Sequence, residues 1–135
     1  MEPIEFILLR RPVSAQTKSR SSLQTWKGEI FEAARQVWPP GMPPESNTPL
    51  QLTIVYLCRD RAADIDNIIK PIQDALVGLV FRSDFLVSDV DSHRRAIVSN
   101  IDLTHLPSLL KKLSPEPDEC VYVRVREAKH LRCYL

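Results

Sequence analysis

Apolar residues recur along this chain first at strand spacing, then at helix spacing, and the alternation repeats. Residues 4–10 (IEFILLR) are rich in branched and aromatic side chains and contain no breaker, which predicts a strand. Residues 11–22 are polar, open with Pro12 and carry several serines, so a loop is expected. Leu23, Trp26, Ile30, Ala34 and Val37 then recur at steps of three and four, the stripe of an amphipathic helix, with Ser21 or Ser22 as its N-cap. Pro39, Pro40 and Gly41 end that helix, and Pro43 and Pro44 carry a loop to about Pro49.

Residues 50–58 form the clearest strand pattern. Leu52, Ile54, Tyr56 and Cys58 fall on one side, and Val55 and Leu57 join Gln51 and Thr53 on the other, which predicts a buried central strand. A charged turn over 59–63 leads to a second helix expected from about Asp66 to Leu79, with Ile68, Ile69, Ile72, Ala75, Leu76 and Leu79 at helical spacing. Pro71 falls near its first turn, where a missing N–H costs least, and Gly78 marks its end. Residues 80–87 read as a short hairpin and 95–101 as a further strand. Asp102 is placed to cap a short helix over 106–113, which Pro115 and Pro117 stop. Residues 120–125 alternate Val121, Val123 and Val125 with Tyr122 and Arg124, a half-exposed strand. This order predicts an α+β fold: a single small domain, with a mixed sheet and two to three helices packed mainly on one face.

The 135 residues suit one domain with one substantial core. No apolar run approaches the ~20 residues of a membrane span, and Glu2 and Glu5 make the start acidic where a signal peptide is basic, so a cytoplasmic protein is the expectation. Cys58, Cys120 and Cys133 form no CxxC pair and no zinc-type spacing with His93, His105 or His130, and read as reduced, mostly buried thiols. A net charge of +1 does not announce a nucleic-acid binder. The distribution is more suggestive: Arg10, Arg11, Lys18 and Arg20 cluster early, Arg59 and Arg61 precede an acidic motif, and Arg94 and Arg95 follow a second one. Arg124, Arg126, Lys129 and Arg132 crowd the C-terminal part.

The acidic motif is Asp64-Ile65-Asp66-Asn67-Ile68-Ile69-Lys70, and a second cluster, Asp84, Asp89 and Asp91, follows an apolar run. Hard divalent cations such as Mg²⁺ take oxygen ligands, only one or two of them from carboxylates, with waters and phosphate completing the shell. Asp66, Lys70 and Asp74 are spaced to share one helix face. Two carboxylates and an ammonium at a strand end and helix start are what metal-assisted phosphodiester chemistry requires. The bland reading makes Asp66 an N-cap and Asp66–Lys70 a solvated ion pair, worth about 0.3–0.5 kcal/mol.

The longer pattern resembles the RusA family of Holliday junction resolvases. It comprises the motif above, then Asp74-Ala75-Leu76, Gly78, and Phe81-Arg82-Ser83-Asp84-Phe85-Leu86-Val87. The Pro- and Ser-rich basic loop from Pro12 to Arg20, followed by a Trp-bearing helix, is also similar, so the resemblance spans about residues 4–97 and leaves 98–135 divergent. The resemblance implies a small homodimeric Mg²⁺-dependent endonuclease (Mn²⁺ as a substitute) that cuts four-way DNA junctions in recombination and repair. It implies metal binding by Asp64, Asp66 and Asp84 and a catalytic Lys70, with Asn67 and Asp74 at motif positions of structural character. Two positions depart from the pattern: Ser83 replaces the first aspartate of a D-D pair, and Leu86 replaces a polar residue before the valine.

The chemistry itself points the same way, since a carboxylate-held metal activates water near neutral pH and a lysine neutralises developing charge. Lys18, Arg20, Arg59, Arg61, Arg94 and Arg95 are the expected DNA contacts. The alternative is a catalytically weakened relative that binds DNA, which Ser83 and the low net charge favour. A nucleotide or nucleotide-sugar enzyme is disfavoured, because only three glycines are present and no Gly-rich phosphate loop exists.

Overall fold

The computed structural model describes residues 1–60, 62–97, 106–111 and 118–135. Four strands, β1 (Ile4–Leu8), β2 (Leu50–Cys58), β3 (Val87–Ala96) and β4 (Cys120–Glu127), form one sheet in the order β1-β4-β2-β3. β4 pairs antiparallel with both β1 and β2, whereas β2 and β3 are parallel. The sheet is therefore mixed, and the helices α1 (Arg20–Val37), α2 (Ile69–Leu76) and α3 (Ser108–Lys111) complete the α+β fold.

Strand periodicity sorts the side chains between two faces. Leu50, Leu52, Ile54, Tyr56 and Cys58 of β2, Ile4, Phe6 and Leu8 of β1 and Val121, Val123 and Val125 of β4 pack with Trp26, Ile30 and Ala34 of α1 and Ile72, Ala75 and Leu76 of α2. On the opposite face Leu57, Cys120 and Tyr122 meet Leu110 of α3. Two helices thus cover one face and a single turn covers part of the other. Among the described residues, no helix is long and apolar enough to cross a membrane.

β2 is buried along almost its whole length, as its pattern predicts. β4 is not half-exposed: its residues from Cys120 to Val123 are all buried, because it lies between β1 and β2 and Tyr122 packs under α3. The N-cap of α1 is Ser19 rather than Ser21 or Ser22; its side chain accepts from the Ser22 N–H. The hairpin expected over 80–87 is a bridge between Val77 and Phe81 followed by a 3₁₀ turn over Asp84–Leu86. Of the strand expected at 95–101, residues 98–101 lie outside the described residues, and the strand described here begins earlier, at Val87–Ala96, because β3 pairs with β2 from Leu50 onward. Asp102, Leu113, Pro115 and Pro117 fall outside the described residues, and the short helix among them is Ser108–Lys111.

The second helix differs for a chemical reason. The expected helix from Asp66 is a 3₁₀ turn over Ile65–Ile68 that passes into α2 at Ile69. Pro71 has no N–H to donate to the Asn67 carbonyl one turn back. That carbonyl accepts instead from the Ala15 N–H at 2.8 Å, which ties the loop before α1 to the start of the acidic segment. At the far end Gly78 takes φ = +90°, a conformation costly for other residues, and its N–H donates to the Phe81 carbonyl at 2.8 Å.

Candidate functional site

β2 ends at Cys58, and the chain returns through the 3₁₀ turn into α2, which packs Ile72 and Leu76 against the sheet. This crossover presents Asp64, Asp66 and Lys70 at the surface, all exposed. Asp64 occupies the N-cap position of the 3₁₀ turn with extended backbone, its carbonyl accepts from the Asn67 N–H at 3.0 Å, and its side chain makes no capping bond. Asp66 lies within the 3₁₀ turn and is not the N-cap of α2.

Lys70 connects the two acidic segments. Its Nζ lies 2.8 Å from Asp84 Oδ2 and 2.9 Å from Asp74 Oδ1. The hydrogen bond with Asp84, and next that with Asp74, hold the ammonium above its ordinary pKa, so it is charged throughout the neutral range. The Asp66–Lys70 ion pair of the bland reading does not form; Lys70 pairs with Asp84 and Asp74 instead. Lys27 of α1 approaches Asp74 at 3.8 Å, a contact that the linear spacing gives no signal for. Ser83 caps the turn that carries Asp84, accepting from the Phe85 N–H at 3.2 Å, which gives this residue a structural role.

The second acidic cluster is split. Asp89 and Asp91 register with Gln51 and Thr53, on the sheet face away from α1 and α2, and Asp91 Oδ2 accepts from Gln51 Nε2 at 2.6 Å. Asp84 alone joins Lys70. Among the described residues, no group of three or more His, Cys, Asp or Glu is set to hold a metal ion. Asp64, Asp66 and Asp84 are therefore not gathered into one coordination sphere in this arrangement. Their donor chemistry nevertheless fits Mg²⁺, which needs only one or two protein carboxylates beside water and phosphate.

The basic residues divide in the same way. Arg10 makes a two-pronged pair with Glu29 at 3.0 and 3.1 Å and lies 5.0 Å from the centre of the Trp26 ring. Arg11 donates to Glu119 at 2.8 Å. Both guanidinium groups are thus paired within the fold. Lys18 and Arg20 are exposed, and among the described residues neither side chain makes an ion pair or hydrogen bond. Arg59 is exposed and its N–H donates to Glu119 Oε1 at 2.7 Å. Arg94 reaches the Ala63 carbonyl at 2.9 Å, beside Asp64, and Arg95 turns to the other face. Arg61 lies outside the described residues. Cys58 and Cys120 are buried thiols, burial pushing Cys120 up to about 11, but Cys133 is exposed.

Comparison with protein-family models gives no match, and neither does comparison with curated proteins.

Proposed function

We propose that the chain is a Mg²⁺-dependent, structure-selective DNA endonuclease acting on four-way junctions. The observation that carries this reading is the bridge from Lys70 to Asp84, which ties the second acidic segment to the helix that follows the exposed Asp64 and Asp66. The resemblance of that motif to RusA-type resolvases supplies the substrate class.

Asp64, Asp66 and Asp84 are the carboxylates the resemblance assigns to the ion, and one or two of them would suffice to hold it beside water and phosphate. When bound, Mg²⁺ supplies a water activated near neutral pH and a counter-charge for the leaving oxygen. The chain's own residues do the rest. An ammonium has three donors, and Asp74 and Asp84 occupy two on Lys70, leaving the third for a phosphate oxygen. Lys70 thus stands ready to neutralise charge developing on phosphate without rearranging its own partners. Lys18 and Arg20, at the start of α1, would track the DNA backbone.

A junction offers two equivalent strands, and a two-fold dimer would place one site on each. β4 has both edges occupied by neighbouring strands, so an edge contact between copies falls to β1 or β3. A second reading, DNA binding with weakened catalysis, is favoured by the separation of the three carboxylates. Incubation of a synthetic four-way junction and a linear duplex with the protein, with and without Mg²⁺, distinguishes the two. Junction-selective cleavage only with Mg²⁺ supports the first, and tight binding without cleavage supports the second.

A further inference from the structure

Phe85 is 88 % exposed, and among the described residues no other aromatic side chain faces solvent to this degree. The chain enters the core at Val80 and Phe81, leaves it, and packs against it again at Leu86 and Val87, so Phe85 stands out between two anchored segments. The backbone of this turn is fixed. The Phe85 N–H donates to Ser83 Oγ at 3.2 Å, the Leu86 N–H to the Ser83 carbonyl at 3.1 Å, and the Val87 N–H to the Asp84 carbonyl. A ring held in water forgoes a large apolar burial, which a bound partner would recover.

The position of the ring decides the partner. Phe85 directly follows Asp84, whose Oδ2 lies 2.8 Å from Lys70 Nζ, the ammonium with one donor left for a phosphate oxygen. A base beside that phosphate would lie within one nucleotide of the ring. The residues just before Phe85, Arg82, Ser83 and Asp84, are charged or polar, whereas the core of a protein interface is apolar and poor in charge. A base needs no such patch, because any base face stacks on a single aromatic ring.

We propose that Phe85 stacks on a base at the branch point and so selects branched over linear DNA, an inference that rests on the endonuclease reading above. In an intact duplex an apolar wedge must first unstack a base step, and that cost opposes binding. At a four-way junction the continuous stack is already interrupted, so the ring meets a base face at a smaller cost. Lys70 would hold the phosphate and Phe85 the base next to it, which confines the productive complex to the branch.

Anisotropy titration of a labelled synthetic four-way junction and a linear duplex with the full chain in EDTA tests it, reading binding apart from cleavage. Phe85→Ala should weaken junction binding about tenfold, the scale of one base–aromatic stack, and leave duplex affinity unchanged. Phe85→Tyr, which keeps the ring, should bind both DNAs as wild type does, and the urea midpoints of all three proteins should agree because the side chain is exposed. The indole introduced by Phe85→Trp should be quenched by the junction and not by the duplex, with wild type, whose Trp26 and Trp38 are buried, as background. Wild-type junction preference that Phe85→Ala leaves intact would overturn the assignment of Phe85 alone. So would an equal loss of affinity on both DNAs, or a dimer in sedimentation that Phe85→Ala dissociates. Wild type that binds the two DNAs equally would overturn the junction reading together with this inference.

Discussion

Lys70 Nζ lies 2.8 Å from Asp84 Oδ2, although fourteen residues separate the two in the chain. The pair is half-exposed, so its worth to folding is small, about 0.2–1 kcal/mol. Its value on the proposed reading is positional. Lys70→Ala should therefore lower single-turnover junction cleavage by ~10²–10³, the scale of losing one preorganised donor at a developing charge. The same variant should shift the urea unfolding free energy by less than about 1 kcal/mol and leave junction affinity nearly unchanged. Equal loss of binding and cleavage would make Lys70 a binding residue only.

The platform beneath the site is apolar. Ile72 is fully buried between α2 and the sheet core. Ile72→Ala should cost about 2–5 kcal/mol in chemical denaturation, and Ile72→Val about 0.5–1.5 kcal/mol. A loss below 0.5 kcal/mol for the alanine variant would mean that α2 is not packed as described.

Much of this arrangement is legible in the linear pattern. The period-two run at 50–58 and the period-3.6 stripe from Leu23 to Val37 yield β2 and α1, because each is long and its apolar positions agree with one period. The breaks come where tertiary pairing overrides local preference. Tyr122 and Arg124 alternate with valines as a half-exposed strand would, yet β4 is interior because the chain returns between β1 and β2. β3 begins at Val87, within polar sequence, because its partner β2 supplies the hydrogen bonds that its composition does not announce. At the site, the motif spacing groups Asp64, Asp66 and Lys70 correctly on one crossover. It does not reveal that Lys70 chooses Asp84 over Asp66, since that depends on where the chain re-enters after Gly78.

Glu119 sets an acid-side dependence. The hydrogen bond from Arg11 holds its carboxyl below the ordinary value of 4.5, burial pushes the other way, and the Arg59 N–H adds to the lowering. A depressed carboxylate contributes stability above its unfolded-state pKa and loses it as pH falls through the folded value. The urea midpoint of Glu119→Gln should therefore lie below that of wild type at pH 6 and converge with it as pH drops below 4.5. Glu32 and Glu45 are also depressed, so both proteins weaken in acid, and the difference between the two curves is the quantity to read. A constant gap from pH 3 to 7 would exclude this linkage.

Lys18 and Arg20 stand without ion-pair partners among the described residues at the start of α1. If both meet phosphates, replacing both with alanine should reduce the slope of log affinity against log salt by about 1.8, at ~0.9 per contact on duplex arms. Arg10→Ala should leave that slope unchanged, because its guanidinium is held by Glu29 and Trp26. An unaltered slope in the double variant would place the loop away from DNA.

On the proposed reading, the exposed carboxylates at the β2–α2 crossover support metal-dependent strand cleavage. Single-turnover cleavage of a four-way junction by wild type and Asp66→Asn, each with saturating Mg²⁺, tests it most directly. Asp66 is exposed and takes no part in the core, so circular dichroism and the urea midpoint should match wild type. Asp66→Asn should bind the junction but not cut it, while wild type should cut only when Mg²⁺ is present. Cleavage by Asp66→Asn at the wild-type rate would contradict it.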